Sequence, residues 1–263
     1  MADVTAGEVK ALRDATGAGM MDAKRALVEC DGDAEAASQL LREKGLTKAA
    51  TRSDRQNVEG AVGLVSDGRR AALVHLKCET DFSAKSEGFL ALVEDLTNAV
   101  LSEGISALDG RTSAIDDLRL SIKENIEVGR VALFEAADGN VIDTYLHIQD
   151  GRGVNGVVVE GSGVDQETLH QVALHIAFAK PTHLTREEVS ADLVEAERAA
   201  LLDITKAEGK PEQAWDKIVE GRLTGWFRET VLLEQGLHGD KTSVAETLNG
   251  GSIERFTQAY LGA

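Results

Sequence analysis

Residues 59–100 read EGAVGLVSDGRRAALVHLKCETDFSAKSEGFLALVEDLTNAV. Within this stretch the apolar period changes. Ala61 to Ser66 and Ala71 to Lys77 follow a period near two and flank Asp67-Gly68-Arg69-Arg70, which predicts a β-hairpin. From Phe89 onward, Leu92, Val93, Leu96, Ala99 and Val100 fall on one stripe at helical spacing. A hairpin running into an amphipathic helix is the building unit of an α+β fold. Thr80-Asp81-Phe82 occupies the joint between the two.

Downstream the theme returns. Ile115, Leu118, Ile122 and Ile126 predict a second helix. Val131 to Ala136, Val141 to Ile148 and Val154 to Glu160 predict three more strands. Asp165 then caps a helix carrying Leu169, Val172, Ala173 and Ile176, which ends at Lys180-Pro181. The pattern is that of a duplicated α+β unit, related by pattern and not by identity. Thr185 and Glu188 have the spacing of a capping box, and Val189, Leu193, Ala196, Ala200, Ile204 and Ala207 step by three and four. Gly209-Lys210-Pro211 turns the chain, and Trp215, Ile218, Leu223 and Trp226 continue on a return helix. Two helices joined so tightly run antiparallel. A short helix from Ser243 and a strand around Ile253 to Tyr260 complete the chain.

Upstream, three short helices are predicted. Thr5 and Glu8 cap the first, and Thr16-Gly17-Ala18-Gly19 breaks it. Met20 to Glu29 forms the second, Asp31-Gly32-Asp33 turns the chain, and Ala36, Ala37, Leu40 and Leu41 line the third up to a stop at Gly45. A bundle this small is marginal alone, so it reads as an attached module. The predicted fold is α+β. A three-helix, ubiquitin-associated-like module (1–45) and a linker (46–58) precede two related α+β subdomains, 59–136 and 137–184 with 229–263. An antiparallel coiled-coil hairpin (185–228) is inserted in the second subdomain.

Composition narrows the function. The 263 residues include 28 basic and 45 acidic ones, a formal charge of -17, which argues against a broad basic face for nucleic acid. Through Arg55 the chain holds 9 basic and 10 acidic residues, so almost all the net charge lies beyond the linker and the two regions differ in surface. Aromatic residues at 4% are too sparse for base-stacking platforms. No apolar run is long enough to span a membrane, and the polar N-terminus is unlike a signal peptide.

Chemistry-bearing motifs are few. Gly151-Arg152-Gly153-Val154-Asn155-Gly156 matches G-x-G-x-x-G, but Val157-Val158-Val159 follows it, so it reads as a hairpin turn and not as a dinucleotide site. There is no P-loop sequence. His170 and His175 are five apart and share no helical face, and none of the six histidines has metal-ligand spacing. Cys30 and Cys78 read as small packing residues. No catalytic signature, cofactor set or metal set is read. Two places stand apart. Phe82 on its loop either packs back onto its own domain or offers an aromatic anchor to a partner. Met20-Met21 at a helix start suits an adaptable contact, although methionines commonly fill cores.

Those two segments carry a resemblance. Leu12 to Lys24, LRDATGAGMMDAK, closely resembles the N-terminal signature of the bacterial elongation factor Ts family, and Glu79 to Lys85, ETDFSAK, resembles its second signature. The order of modules along essentially the whole chain is similar as well. The resemblance implies a cytoplasmic guanine-nucleotide exchange factor for elongation factor Tu, without covalent catalysis, cofactor, direct nucleic-acid contact or membrane contact. It implies that Phe82, with Thr80, Asp81 and Ser83, wedges between helices of the partner's GTPase domain and disturbs the Mg²⁺ and phosphate site. It places Leu12, Met20 and Met21 of the N-terminal module near the nucleotide pocket, and His147, at a Tyr-x-His position, against a distal domain. Ser83 departs from the valine common there, so packing of that loop differs. Some members extend past the position of Ala263 into a helical module that touches elongation factor Tu, and that contact is not carried over. In some members the helical hairpin forms a homodimer. Without the resemblance, the first 45 residues alone would permit an adaptor module with no exchange activity.

Overall fold

The computed structural model describes residues 4–16, 18–50 and 56–262. Helices α1 (Ala6–Thr16), α2 (Met20–Glu29) and α3 (Ala34–Ala50) form the N-terminal module. The capping box at α1 is present: Glu8 Oε2 accepts from Thr5 N at 2.8 Å while Thr5 Oγ1 accepts from Glu8 N at 3.3 Å. Asp33 Oδ1 caps α3 by accepting from Glu35 N and Ala36 N. Val9, Leu12, Ala23, Ala26, Leu27 and Ala37 make the core of the module. Gly45 does not end α3, which continues to Ala50. The glycine serves a close approach instead, since a Cβ there would lie 2.3 Å from Leu120 Cδ2. Arg42 adds an ion pair to Asp117 (2.9 Å) and a hydrogen bond to Ser113 Oγ (2.7 Å), so α3 docks on the core. Of the expected linker, 46–50 therefore belongs to α3, 51–55 lies outside the described residues, and 56–58 leads into the first sheet.

Strands β1 (Glu59–Ser66) and β2 (Arg70–Cys78) form the expected hairpin. A short helix α4 (Asp81–Ala84) precedes α5 (Glu87–Glu103) and α6 (Thr112–Ile122). Ile126, expected on the second helix, lies beyond its end and is fully buried, because Lys123 turns the chain in the left-handed region (φ 65°). Strand β3 (Glu127–Glu135) returns to complete an antiparallel sheet in the order β1-β2-β3. Strands β4 (Asn140–Gln149) and β5 (Arg152–Ser162), helix α7 (Gln166–Ala179) and a last strand β6 (Ser252–Tyr260) repeat the scheme, giving the sheet β4-β5-β6.

The two sheets pack face to face. Val62, Ala71, Leu73 and Phe134 of the first meet Ile142, Val158 and Ala259 of the second in one apolar cluster. On the outer face of the first sheet, Ala72, Val74 and Leu76 pack with Phe89, Leu92 and Leu96 of α5. On the outer face of the second, Val157 and Val159 pack with Leu169, Val172 and Ile176 of α7. The layers are therefore helix, sheet, sheet, helix. Strand β2 is covered on both faces, which is why Ala71 to Leu76 is apolar nearly throughout. No helix among the described residues is long and apolar enough to cross a membrane.

Between α7 and β6 the chain forms the helical hairpin α8 (Ala191–Ala207) and α9 (Trp215–Thr230). Its capping differs from expectation. Ser190 is the N-cap of α8, accepting from Leu193 N, whereas Glu188 turns back to accept from Leu184 N. The seam also differs. Of the expected series only Val189 is buried; Leu193, Ala196, Ala200, Ile204 and Ala207 are exposed, and Val194 and Leu201 pack with Leu223 and Phe227 instead. An alanine-rich helix offers two apolar stripes one residue apart, and the large α9 side chains choose between them. The seam remains satisfied at Thr205, whose hydroxyl donates to Leu201 O (2.7 Å) and accepts from Arg222 (3.2 Å). The short helix α10 (Val244–Thr247), capped by Ser243 and Glu246 in a capping box, precedes β6.

Strand β2 also buries His75, which is 2% exposed and leaves Nε2 without a hydrogen-bond partner. Burial first, and the charge of Lys77 second, push its pKa down to about 4. The unfolded chain, with a histidine near ~6.5, takes up a proton before the folded one does. The stability this site contributes is thus complete above about pH 6.5 and is lost as pH falls to about 4. Urea unfolding at pH 7 and pH 5 should show a pH-dependent loss that His75→Leu reduces, of up to about 3 kcal/mol over the full window. Identical pH dependence in wild type and variant would exclude a buried neutral imidazole.

Candidate functional site

The joint between β2 and α5 is a rigid helical turn. Thr80 is the N-cap of α4, with extended backbone (φ −125°, ψ 153°) and its Oγ1 accepting from Ser83 N. A carboxylate from the loop after α6 completes the turn. Glu124 Oε1 accepts from the hydroxyls of Thr80 and Ser83, both at 2.6 Å. Its Oε2 accepts from the backbone N–H groups of Glu79 and Thr80, both at 3.1 Å. Glu79 returns the contact by accepting from Asn125 N at 2.7 Å. Burial works against the charge of Glu124, but these four donors outweigh it and hold its pKa below the usual carboxylate range. Ser83 thus supplies one of the two hydroxyls that Glu124 gathers.

The same turn is tied to the second sheet. Lys85 Nζ reaches Asp81 at 2.9 Å and Asp150 at 3.2 Å. Its hydrogen bond is the largest of the effects that keep the Asp81 carboxyl low. Asp150 and Gly151 have positive φ (52° and 79°) and turn β4 into β5. The G-x-G-x-x-G run is therefore the expected hairpin, and no helix follows it to receive a pyrophosphate. Arg152, next in the chain and 8% exposed, donates to Gly60 O (2.6 Å) and Glu59 Oε2 (2.8 Å) on β1. The β4–β5 turn is thus held on one side by Lys85 beside α4 and on the other by β1.

On this braced turn Phe82 points outward and is 84% exposed. Phe89, seven residues on, is fully buried. The alternative that Phe82 packs back onto its own domain does not hold for this structure. Cys78, beneath the turn, donates its thiol to Thr80 O (3.2 Å). Burial, and then the Glu124 charge, raise its pKa to about 12, so it is no nucleophile at neutral pH.

The other sequence-selected residues lie apart from this turn or at its margin. Met20 and Met21, 46% and 64% exposed, open α2 on the N-terminal module. Leu12 does not share their exposure: at 5% it is part of the core of that module, packed among Val9, Ala23 and Leu27. Its place at helical spacing from Val9 puts it on the inward face of α1. His147 is exposed on β4, three residues before Asp150, with Nδ1 3.3 Å from Tyr145 Oη and the two rings stacked at 6.4 Å. Among the described residues no cluster of three or more His, Cys, Asp or Glu side chains could hold a metal ion.

Three features escaped the sequence reading. Glu124 is 44 residues from Thr80, and no linear pattern joins them. Lys85 was legible in part, since Asp81 and Lys85 have i,i+4 spacing, but its second partner Asp150 was not. Phe178, 82% exposed at the end of α7, falls outside the helix's buried stripe of Leu169, Val172, Ala173 and Ile176, a phase that could have been read.

Comparison with known proteins bears on the whole chain. A family model described as elongation factor TS matches residues 79–263. A protein called elongation factor Ts from Clavibacter michiganensis subsp. michiganensis is 44% identical, with 100% of both chains covered. Its counterpart from Cutibacterium acnes is 44% identical over 98% of this chain and 99% of its own. The one from Mycobacterium ulcerans is 42% identical over 100% of this chain and 99% of its own.

Proposed function

Since the chain belongs to the elongation factor Ts family, a family of translation elongation factors, we propose that it is the guanine-nucleotide exchange factor of elongation factor Tu, acting in the cytoplasm without covalent chemistry. The physics is linkage. A factor that binds the nucleotide-free GTPase more tightly than the GDP-bound form weakens GDP by the same ratio. Some contact must therefore be made only when the nucleotide site is disturbed.

One observation carries this reading: a phenylalanine 84% exposed on a turn that its neighbours hold rigid. Phe82 gains its dry surroundings only inside the partner, by entering between two helices of the GTPase domain and displacing groups that support Mg²⁺ and the phosphates. Asp81 accompanies it, and Thr80 and Ser83 hold the turn. Met20 and Met21 supply adaptable contacts near the nucleotide pocket, with Leu12 supporting them from within the module. His147 meets a distal domain of elongation factor Tu. The exposed α8 stripe of Leu193, Ala196, Ala200 and Ile204 supports pairing of two copies through the hairpin. Sedimentation showing only monomer at micromolar concentration would remove that part of the reading.

The test is release of fluorescently labelled GDP from elongation factor Tu. Sub-stoichiometric protein should accelerate release catalytically, turning over many partner molecules. Binding without acceleration would leave an adaptor in place of an exchange factor.

A further inference from the structure

We propose that Glu124 is the positioning residue of the exchange site, setting the presentation of Phe82 without touching the partner's nucleotide. The inference rests on the wedge reading of Phe82. Glu124 closes a ring around the turn, since its two oxygens take four donors from Glu79, Thr80 and Ser83, on both sides of the peptide that leads into Phe82. An exposed side chain on a four-residue helix has no packing of its own to orient it, because a single helical turn is unstable in isolation. Its direction must come from the bonds beneath it. Thr80 as N-cap supplies one such bond, Lys85 adds an ion pair to Asp81, and the Glu124 carboxylate supplies four more from across the fold.

The charge matters as well as the shape. Two hydroxyls and two N–H groups converge on one carboxylate, and bonds to an ionised acceptor are the stronger kind. Ser83 adapts this chain to the arrangement, because its hydroxyl is one of the four donors. Ordering the turn in advance removes that cost from the binding step. Without Glu124 the backbone N–H groups of Glu79 and Thr80 turn to water and the turn samples other conformations. Phe82 then reaches its niche in a fraction of encounters.

The experiment compares stimulated GDP release by wild type, Glu124→Ala, Glu124→Gln, Phe82→Ala and the double variant Glu124→Ala/Phe82→Ala, with circular dichroism confirming the fold of each. Glu124→Ala should lower the acceleration roughly tenfold, the scale expected for losing preorganisation of a short segment. Glu124→Gln, which keeps the shape and one acceptor oxygen, should recover part of it. In the Phe82→Ala background Glu124→Ala should cost nothing further, since it acts through that side chain. A merely structural role would add its loss in both backgrounds. Full acceleration by Glu124→Ala, with Phe82→Ala impaired, overturns the positioning role alone. Full acceleration by Phe82→Ala overturns the wedge reading and this inference with it. Should Glu124→Ala not fold, Glu124→Gln alone and combined with Phe82→Ala decides the same question.

Discussion

Phe82→Ala is expected to remove most of the acceleration of GDP release while leaving the fold intact. The side chain is 84% exposed and belongs to none of the apolar clusters, so truncating it opens no cavity. Thr80 still caps α4, Glu124 still gathers its four donors, and alanine suits a helical turn. Stability should stay within about 0.5 kcal/mol of wild type, as for surface substitutions in general. The exchange rate should respond very differently. Burying a phenylalanine gains about 2–3 kcal/mol, and each ~1.4 kcal/mol is a factor of ten, so the loss should be roughly 30-fold or more. Release kinetics and thermal unfolding of the same preparation give both readings. Unaltered exchange by a folded Phe82→Ala protein would end the wedge role.

Gly153→Val is expected to have the largest effect on stability. Gly153 lies in β5 against the backbone of β1 in the other sheet. A Cβ there would sit 2.1 Å from Val62 O and 2.7 Å from Leu146 Cδ1. The first of these is backbone of β1 and cannot swing aside, so the sheets must separate around it. Overpacking of this kind costs about 3 kcal/mol or more. For a chain of this size that corresponds to a fall in Tm of roughly 6–12 °C. Gly151→Asn, two residues away, is the control. Gly151 has φ 79° with open space around its Cα, and asparagine tolerates that region, so the loss should be at most about 1 kcal/mol. Similar melting of both variants would show that the β1–β5 approach is not enforced by backbone contact.

These two glycines mark how far linear reading reaches. That the G-x-G-x-x-G run turns a hairpin was legible, because strand residues follow it and a phosphate-binding helix does not. That its second glycine is needed for the neighbouring sheet was not, since Val62 lies 91 positions earlier. Gly45 misled for the same reason. Taken alone it reads as a helix stop, yet its lack of a side chain serves the approach of Leu120. In α8 the stepping pattern pointed to a seam, but Leu193, Ile204 and their neighbours form one of two adjacent apolar stripes, and Leu223 and Phe227 on the facing helix select the other. Leu12 shows the reverse case. Its family position drew attention to it as a contact, while its spacing from Val9 already placed it inside.

From its order of residues alone this chain determined most of its elements, its α+β class and the place of Phe82 at the joint between hairpin and helix, because those follow from short-range steric and periodic preferences that a few neighbouring residues carry. That Phe82 points outward was decided by the tertiary structure. Tertiary structure alone decided that Glu124 and Lys85 close around the Phe82 turn, that the sheets meet at Gly153, and which face of α8 is covered. The reason is physical. Hydrogen bonds and close packing act over a few ångströms regardless of sequence separation, so a partner 44 residues away leaves no periodic trace in the chain.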